Sequence, residues 1–298
     1  MSTPAGTFSI VAADLEAGEV GCAVQSKYFS VGSVVPWARA GVGAVATQAS
    51  GVAVYGRSAL AALDAGASPD EALERVLAGD PGRETRQLGI VTADGRAAAF
   101  TGRECLDWAG HRTGPGYAVQ GNILTAEAVV EQMARAFEET AGPLGHRLVA
   151  ALEAGQAAGG DRRGQQSAAV VVERAGAAAE SREGIDRVCD LRVEDHAEPI
   201  AELRRLHGIW TLWDAQRTAN GHYDRGDYAR GADLLATALG DRDDAGALYN
   251  LACYESLAGR RDDALAHLRR AIELDESFRG LAAGDPDFDP LRADVAAL

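Results

Sequence analysis

The chain has 298 residues, which is enough for two ordinary domains or for one large domain with an appendage. Its hydrophobic fraction of 47% is typical of globular proteins and argues against general disorder. The formal net charge of −15 is repelled by phosphate backbones and by anionic lipid, so we expect neither nucleic acid nor a membrane surface as a partner.

The cysteine and histidine residues give no sign of a metal site or of a disulfide framework. The four cysteines are far apart and form no CxxC pair. Neither His111 nor His196 has a companion at metal-ligand spacing, so structural roles are expected for both. The sequence shows no secretion-type leader and no run of about 18 apolar residues. We therefore expect a reduced, cytoplasmic protein that needs no metal and no organic cofactor.

The first two elements form a predicted antiparallel hairpin. TFSIVAAD (residues 7–14) and VGCAVQS (residues 20–26) are rich in β-formers, and the glycine-containing segment LEAGE joins them. Pairing the two ends of this turn places Thr7 opposite Ser26. A turn one or two residues longer places Thr7 opposite Lys27 or the residue after it.

Lys27 is the only lysine in a chain that has 28 arginines. Such a bias is typical of a GC-rich genome, and a position that keeps lysine against it can require a compact, titratable ammonium. The alternative is a lysine that remains by chance at the end of a strand. Because the hairpin brings Lys27 close to Thr7, we predict that the two residues act together.

The remaining elements of the first 200 residues come in blocks of one kind. The predicted strands lie at residues 30–49, 86–102 (a hairpin), 116–124, 164–174 and 186–196, and the predicted helices at residues 55–65, 69–78, 126–139 and 144–156. This order favours an α+β domain with antiparallel sheets over a fold of alternating parallel strands.

The C-terminal part has a helical pattern throughout. Gly226 and Gly259, both predicted at turns between helices, are 33 residues apart, and Ala238 and Ala271 repeat this spacing. A period near 34 with glycine at the turn resembles the tetratricopeptide repeat. Two copies are fewer than the roughly three that a free-standing array needs, so we expect stabilisation by the first domain or by a final helix at residues 290–298. A plain helical appendage is the alternative.

The first part of the chain also resembles a known bacterial family, catalogued as domain of unknown function 1028, over about residues 7–206. The resemblance is carried by TFSIVAADLEAGEVGCAVQSKYFSVGSVVPWARAGVGAVATQAS, GRETRQLGIV, AAFTG, CLDWAGHRTGPGYAVQGNIL, LEAGQAAGGDRRGQQSAAVVV and DLRVEDH. It implies a fold like that of the N-terminal-nucleophile (Ntn) hydrolases, a four-layer αββα sandwich similar to proteasome subunits, and no settled substrate. We therefore expect this sandwich at residues 1–206 and an all-α, tetratricopeptide-like region at residues 207–298.

An Ntn-hydrolase fold implies that the nucleophile is an N-terminal residue. A threonine hydroxyl is a weak nucleophile, and its own free α-amine, with a pKa of about 7.7–8.0, can serve as its base. Here Thr7 gains that amine only if residues 1–6, MSTPAG, are removed. Gly6 suits such a bond because glycine tolerates a strained backbone. We predict that Thr7 cleaves the bond before it and that Lys27 and Ser26 tune its reactivity.

Other assignments of the nucleophile stay open. Similar sequences start Met-Thr-Phe-Ser, so that removal of Met exposes the threonine, whereas here it would expose Ser2. Ser9 and Ser26 are alternative nucleophiles, although neither can use its own amine as the base. A further alternative is that Thr7 only begins a strand.

Two sets of polar side chains are candidates for substrate binding. The first set lies within apolar strands and consists of Gln48, Gln120 and Asn122. The second set lies in the loop GGDRRGQQS and consists of Asp161, Arg162 and Arg163. The amides can donate to an oxyanion, and arginine can pair bidentately with a carboxylate. The alternatives are satisfied buried amides and a solvated loop with a surface ion pair.

The sequence thus supports two functions of different classes. The first is an amidohydrolase that cleaves a linear amide or peptide-like C–N bond with Thr7 as nucleophile. The second is a non-catalytic binding or scaffold protein that holds a small ligand in its pocket and a protein partner on its helical repeats. We expect a homo-oligomer in either case, because relatives of this fold often assemble.

Overall fold

Strands rich in small and β-branched residues form two antiparallel sheets in the computed structural model, which describes residues 6–180 and 184–298. The strands are β1 (Thr7–Asp14), β2 (Glu19–Ser26), β3 (Pro36–Arg39), β4 (Gly43–Ala49), β5 (Arg86–Thr92), β6 (Ala97–Thr101), β7 (Gly110–Gly114), β8 (Tyr117–Asn122), β9 (Ser167–Arg174) and β10 (Arg187–Val193). The first sheet has the order β10-β9-β2-β1-β8-β7, and the second has the order β3-β4-β5-β6.

Four helices cover the outer faces of the two sheets, and the others lie elsewhere in the chain. The helices are α1 (Val54–Asp64), α2 (Pro69–Leu77), α3 (Ala128–Glu139), α4 (Leu144–Ala157), α5 (Ala177–Glu180), α6 (Pro199–Asp224), α7 (Tyr228–Leu239), α8 (Ala245–Leu257), α9 (Arg261–Leu274), α10 (Ser277–Gly284) and α11 (Arg292–Val295), with 3-10 helices at Val31–Ser33, Arg83–Thr85 and Pro286–Leu291. α3 and α4 pack on the first sheet, α1 and α2 pack on the second, and β1 and β2 contact β4.

This layering explains the apolar sequences of β1 and β2, since both of their faces are covered. Gly21 in β2 allows α4 to approach closely, because a Cβ at this position would lie 2.8 Å from the Leu148 side chain. The architecture is therefore mixed α and β, and a helical C-terminal region follows it.

The predicted hairpin register is confirmed, and two local predictions need correction. β1 pairs with β2 so that Thr7 lies opposite Ser26. Residues 30–49 do not form a continuous strand, because Ser30 has a φ of 56°, a 3-10 turn follows it, and β3 begins only at Pro36. β7 has no counterpart among the predicted strands, since this edge strand is largely exposed and its sequence, GHRTG, lacks apolar alternation.

The chain divides into two compact units, of which the first ends at His207 and the second covers Gly208–Leu298. In the second unit α7 and α9 begin 33 residues apart, and each follows a three-residue turn whose glycine, Gly226 or Gly259, has positive φ. The last segment adds Phe288 and Val295 to the core of this unit. Within the described ranges, every helix is too short or too polar to cross a membrane.

The buried His207 makes the stability of the first unit depend on pH. Only 7% of this residue is exposed, and burial lowers the pKa of its imidazole from 6.5 to about 4, with smaller contributions from His146 and Arg204. The neutral imidazole therefore stabilises the fold fully above pH 6.5, and this contribution is lost as the pH falls towards 4.

Acidification from pH 7 to pH 4.5 should lower the unfolding free energy of both the wild type and His207→Gln. We expect the loss in His207→Gln to be smaller than that in the wild type by about 2 kcal/mol, as measured by urea unfolding at the two pH values. His196→Gln is the control, because His196 is exposed. Equal acid losses in the wild type and the His207 variant would contradict the prediction.

Candidate active site

The site begins where three strands of the first sheet meet. Thr7, the first residue of β1, pairs with Ser26 at the end of β2 and with Asn122 at the end of β8. Directly opposed residues of neighbouring strands place their side chains on the same face of the sheet. The Oγ1 of Thr7 and the Oγ of Ser26 are accordingly 2.9 Å apart, and both residues are almost completely buried.

The carbonyl of Gly6, directly before Thr7, accepts two hydrogen bonds. Ser26 Oγ donates to it at 2.5 Å, and Arg163 Nη2 donates to it at 2.9 Å. Because a carbonyl oxygen can only accept, the single hydroxyl proton of Ser26 points to Gly6. In the contact between the two hydroxyls Thr7 must then be the donor, which gives a directed chain from Thr7 through Ser26 to the Gly6 oxygen.

Asp161 holds the groups around this carbonyl in place. Its side chain has no exposed surface and forms an ion pair with Arg163, with 2.7 Å between Oδ2 and Nη2. The backbone N–H of Lys27 donates to the same carboxylate oxygen at 3.2 Å. A Cβ on Gly6 would lie only 2.7 Å from both oxygens of Asp161. Glycine is therefore the residue that fits here without displacing the carboxylate.

The loop that carries Asp161 is fixed by its backbone. Gly159 and Gly160 turn the chain after α4 with φ angles of 118° and 59°, which other residues rarely adopt. Asp161 then forms an isolated β-bridge with Leu124, and the N–H of Arg162 donates to the carbonyl of Ile123 at 2.9 Å. These contacts anchor the loop beside the end of β8.

The structure brings some of the predicted charged residues to Thr7 and leaves others at the surface. Arg163 contacts the Gly6 carbonyl, as described. Lys27 is exposed, and its Nζ donates to the carbonyl of Gln165 at 3.1 Å. Arg162 is also exposed. Among the described residues the guanidinium of Arg163 is thus the cation at the Gly6–Thr7 bond.

A cleft of about 430 Å³ opens beside Thr7 and Ser26. Thr47 and Gln48 extend its polar surface, and the rest of its lining is formed by Tyr28, Val31, Val34, Val35, Ala49, Ser50, Gly51, Ala53 and Arg86. Apolar walls with a few converging polar groups are typical of sites for small molecules. Arg86 is the charged residue of this lining.

The predicted amide ligands belong to a buried network between the two sheets. Gln48 Nε2 donates to Gln87 Oε1 at 2.9 Å and to the carbonyl of Thr7 at 3.3 Å. Asn122 Nδ2 donates to the same Gln87 oxygen at 2.9 Å, and Gln120 Nε2 donates to Ser9 Oγ at 2.6 Å. Of the three predicted amides, Gln48 lines the cleft, Asn122 bonds across to the second sheet, and Gln120 bonds within the first sheet.

Arg86 and Gln87 are residues of the site that the sequence reasoning missed. The signal was a polar pair at the start of the otherwise apolar run RQLGIV. Arg86 Nε donates to Asp80 Oδ2 at 2.8 Å, and the hydroxyl of Tyr55 donates to the same oxygen at 2.8 Å. The hydrogen bond from Arg86 has the largest effect, and together with that from Tyr55 it lowers the pKa of Asp80 below its usual range. The carboxylate thus stays ionised and holds the guanidinium at the cleft.

Within the described ranges, one group has the geometry to hold a metal ion, and it lies in the second unit. The candidate ligand atoms of Cys253, Asp285 and Asp287 are within 4.8 Å of one another. Hydrogen bonds from Tyr249 and Tyr223 already occupy oxygens of the two carboxylates. Burial raises the pKa of the Cys253 thiol, which disfavours the thiolate that a metal would need. The group is better described as a buried hydrogen-bond network.

Comparisons with known proteins cover the first unit. A model described as a family of unknown function, DUF1028, matches residues 7–203. The crystal structure of protein SPO2555 from Silicibacter pomeroyi, assigned to the same family, is similar with a TM-score of 0.63 and 32% identity, covering 71% of this chain and 91% of that one. No curated protein matches. The match to the family model covers about two thirds of the chain, including both sheets and the cleft, and the chain therefore belongs to the family of unknown function DUF1028.

Proposed function

We propose that the protein is a self-processing amidohydrolase of the Ntn type. Thr7 would first cleave the Gly6–Thr7 bond and then hydrolyse a linear amide or peptide-like C–N bond. The observation that carries this proposal is the Gly6 carbonyl, which accepts hydrogen bonds from Ser26 and Arg163 while the Thr7 hydroxyl adjoins Ser26. In the first unit two sheets lie between helices, and this layering supports an Ntn-hydrolase-like sandwich. Residues 1–5, which belong to the predicted leader, lie outside the described residues.

In the self-cleavage step the Oγ1 of Thr7 forms a bond to the carbonyl carbon of Gly6. The Thr7 proton moves to Ser26 Oγ, and the Ser26 proton moves to the Gly6 oxygen. The C–N bond then breaks as the nitrogen of Thr7 takes up the proton, which leaves Gly6 joined to Thr7 by an ester. The α-amine of Thr7 is free from this point, and water then hydrolyses the ester, which releases residues 1–6 and restores the Thr7 hydroxyl. The guanidinium of Arg163 stabilises negative charge that develops on the oxygen.

During turnover the acyl group of the substrate takes the place of Gly6. The freed α-amine, with an ordinary pKa of about 7.7–8.0, accepts the proton of the Thr7 hydroxyl near neutral pH. Ser26 and Arg163 then bind the carbonyl oxygen of the substrate, and Asp161 keeps Arg163 in position. Lys27 and Arg162 have no part in these steps.

The second unit is proposed to be a tetratricopeptide-like region that binds a protein partner. The 33-residue offset between α7 and α9, with a positive-φ glycine before each, supports this assignment. A scaffold function without catalysis remains the second candidate, because the same helix pairs would serve it equally well. Retention of residues 1–6 by freshly purified protein would favour the scaffold.

Ser26→Ala is expected to slow self-cleavage roughly 100-fold, because it removes both the acceptor of the Thr7 proton and a donor to the Gly6 oxygen. The measurement is the intact mass of untagged protein during incubation after purification, with N-terminal sequencing of the product. Wild-type protein should begin Thr-Phe-Ser-Ile. Ser50→Ala is the matched control, since Ser50 lines the same cleft, whereas the donors to the Gly6 carbonyl are Ser26 and Arg163. Equal rates for the two variants would remove Ser26 from the mechanism.

A further inference from the structure

Arg86 lies at the cleft with part of its hydrogen-bonding capacity unused. An arginine has five N–H donors. Three are occupied here: Nε and Nη2 donate to the two oxygens of Asp80, and Nη1 donates to the carbonyl of Ser50. The Tyr55 hydroxyl also lies close enough to this guanidinium to affect its pKa. The N–H groups that do not contact Asp80 or Ser50 are the donors that an anion in the cleft would meet.

The guanidinium is held rigidly in this position. Asp80 is fixed in turn by the hydroxyl of Tyr55 and by the backbone N–H of Gly82 at 2.8 Å. Gly82 also leaves the space that the guanidinium fills, because a Cβ there would lie 2.6 Å from Arg86 Nη2. A charged group that is fixed in advance loses little entropy when it binds a ligand.

The cleft connects this group with the nucleophile. Thr7 belongs to the first sheet and Arg86 to the second, and packed sheets are about 10 Å apart. The lining of the same cleft also includes Val31, Val35 and Ala53, which are suited to a hydrocarbon chain. A ligand that spans the cleft would therefore have a reactive carbonyl at one end, an apolar middle and an anion at the other end.

The surroundings of Gly6 restrict the acyl group further. A substituent on the carbon next to the carbonyl, placed like a Cβ on Gly6, would meet the oxygens of Asp161 at 2.7 Å. An acyl group that takes the place of Gly6 is thus unbranched at this carbon.

We propose that the substrates are monoamides of linear dicarboxylic acids and that Arg86 binds their free carboxylate. This inference rests on the proposed function, since it takes Thr7 as the nucleophile and Gly6 as the place of the acyl group. Thr7 Oγ1 would take the acyl group as the C–N bond breaks and the amine leaves with a proton, and water would then hydrolyse the ester to release the dicarboxylic acid and restore the Thr7 hydroxyl. The dicarboxylic acid is then a product whose binding can be measured separately from catalysis.

The test is isothermal titration of the full-length purified protein, in the form that it has after purification, with the linear dicarboxylates from succinate to suberate. Matched monocarboxylates of equal chain length are the comparison. We expect the best dicarboxylate to bind at least about tenfold more tightly than its monocarboxylate, because a charge-assisted bidentate pair is formed. If the intact mass shows that residues 1–6 are gone, equal binding of the two series, or binding of neither, would overturn the proposal. Protein that keeps these residues would instead contradict the proposed function, because Gly6 then still fills the place of the acyl group.

The variants must separate recognition from folding. Arg86→Gln leaves Asp80 buried without its partner, so Asp80→Asn/Arg86→Gln, which removes both charges, is measured beside it. Both are expected to bind dicarboxylates and monocarboxylates equally. Arg83→Gln is the control, since Arg83 pairs with the exposed Glu74 and does not line the cleft. Preserved dicarboxylate preference in a folded double variant would assign the carboxylate to another residue and overturn the role of Arg86.

Discussion

Thr7→Ala should keep residues 1–6 attached to the chain, whereas the wild type is expected to lose them. The variant has no hydroxyl to attack the Gly6 carbonyl, so we expect self-cleavage to fall by roughly 1000-fold or more. The intact mass of freshly purified, untagged protein, followed over days, measures this directly. Because the hydroxyl of Thr7 makes one hydrogen bond, to Ser26, its removal should cost only about 1 kcal/mol of unfolding free energy.

Thr7→Ser is the companion variant, because it keeps the nucleophile and should still release the leader. Cleavage of the alanine variant at the wild-type rate would show that an external protease, or a neighbouring hydroxyl such as that of Ser9 or Ser26, cuts the chain. A wild-type protein that retains its leader would instead support the scaffold function. Self-cleavage by Thr7, cleavage by another group and retention of the leader differ in the mass of the chain or in how the cleavage rate changes with the residue at position 7. One set of mass spectra of the wild type and the two variants therefore separates them.

Arg163→Met should slow self-cleavage roughly 100-fold, because the Gly6 oxygen loses its charged donor as negative charge develops on it. The neighbouring Arg162 offers a matched control, since Arg162→Met removes the same side chain from an exposed position. The measurement is again the intact mass over time, together with the thermal unfolding midpoint of each variant. Equal cleavage rates for the two methionine variants would contradict the assigned role of Arg163.

Loss of Arg163 also leaves Asp161 buried without its ion-pair partner, which can cost several kcal/mol. The double variant Asp161→Asn/Arg163→Met removes this charge. If the double variant regains the wild-type thermal midpoint but remains slow, the defect belongs to the chemistry. Recovery of both stability and rate would mean that Arg163 serves only to neutralise Asp161.

The parts of the site that follow from strand geometry could be predicted from the sequence. Strand pairing in a hairpin is fixed by its turn, so counting from LEAGE limits the partner of Thr7 to Ser26 or one of the two residues after it, and the structure has Ser26. The glycine before Thr7 and the polar loop with Asp161 and Arg163 were also recognisable, and both lie at the same bond. Their residue types stand out in the sequence because each breaks an apolar or regular pattern.

Contacts between the two sheets could not be predicted in this way. Arg86 reaches the cleft from the second sheet, and Gln87 accepts a hydrogen bond from Asn122 of the first sheet. The periodicity of a single strand contains no information about such contacts with another sheet. The prediction for Lys27 considered proximity but not side-chain direction. β2 ends at Ser26, so Lys27 lies beyond the strand, and its exposed side chain is not held on the face that Thr7 and Ser26 share. Its ammonium is therefore found at the carbonyl of Gln165.

The exposed position of Lys27 has a practical consequence for chemical labelling. Lys27 is the only lysine, and the other 28 residues counted with it as basic are arginines. The chain therefore carries one side-chain primary amine besides its terminal α-amine. An amine-reactive fluorophore attached to Lys27 would sit next in sequence to Tyr28, which lines the cleft. Unmodified protein thus offers a single internal conjugation point close to the site, and ligand entry can be followed by fluorescence without engineering a cysteine.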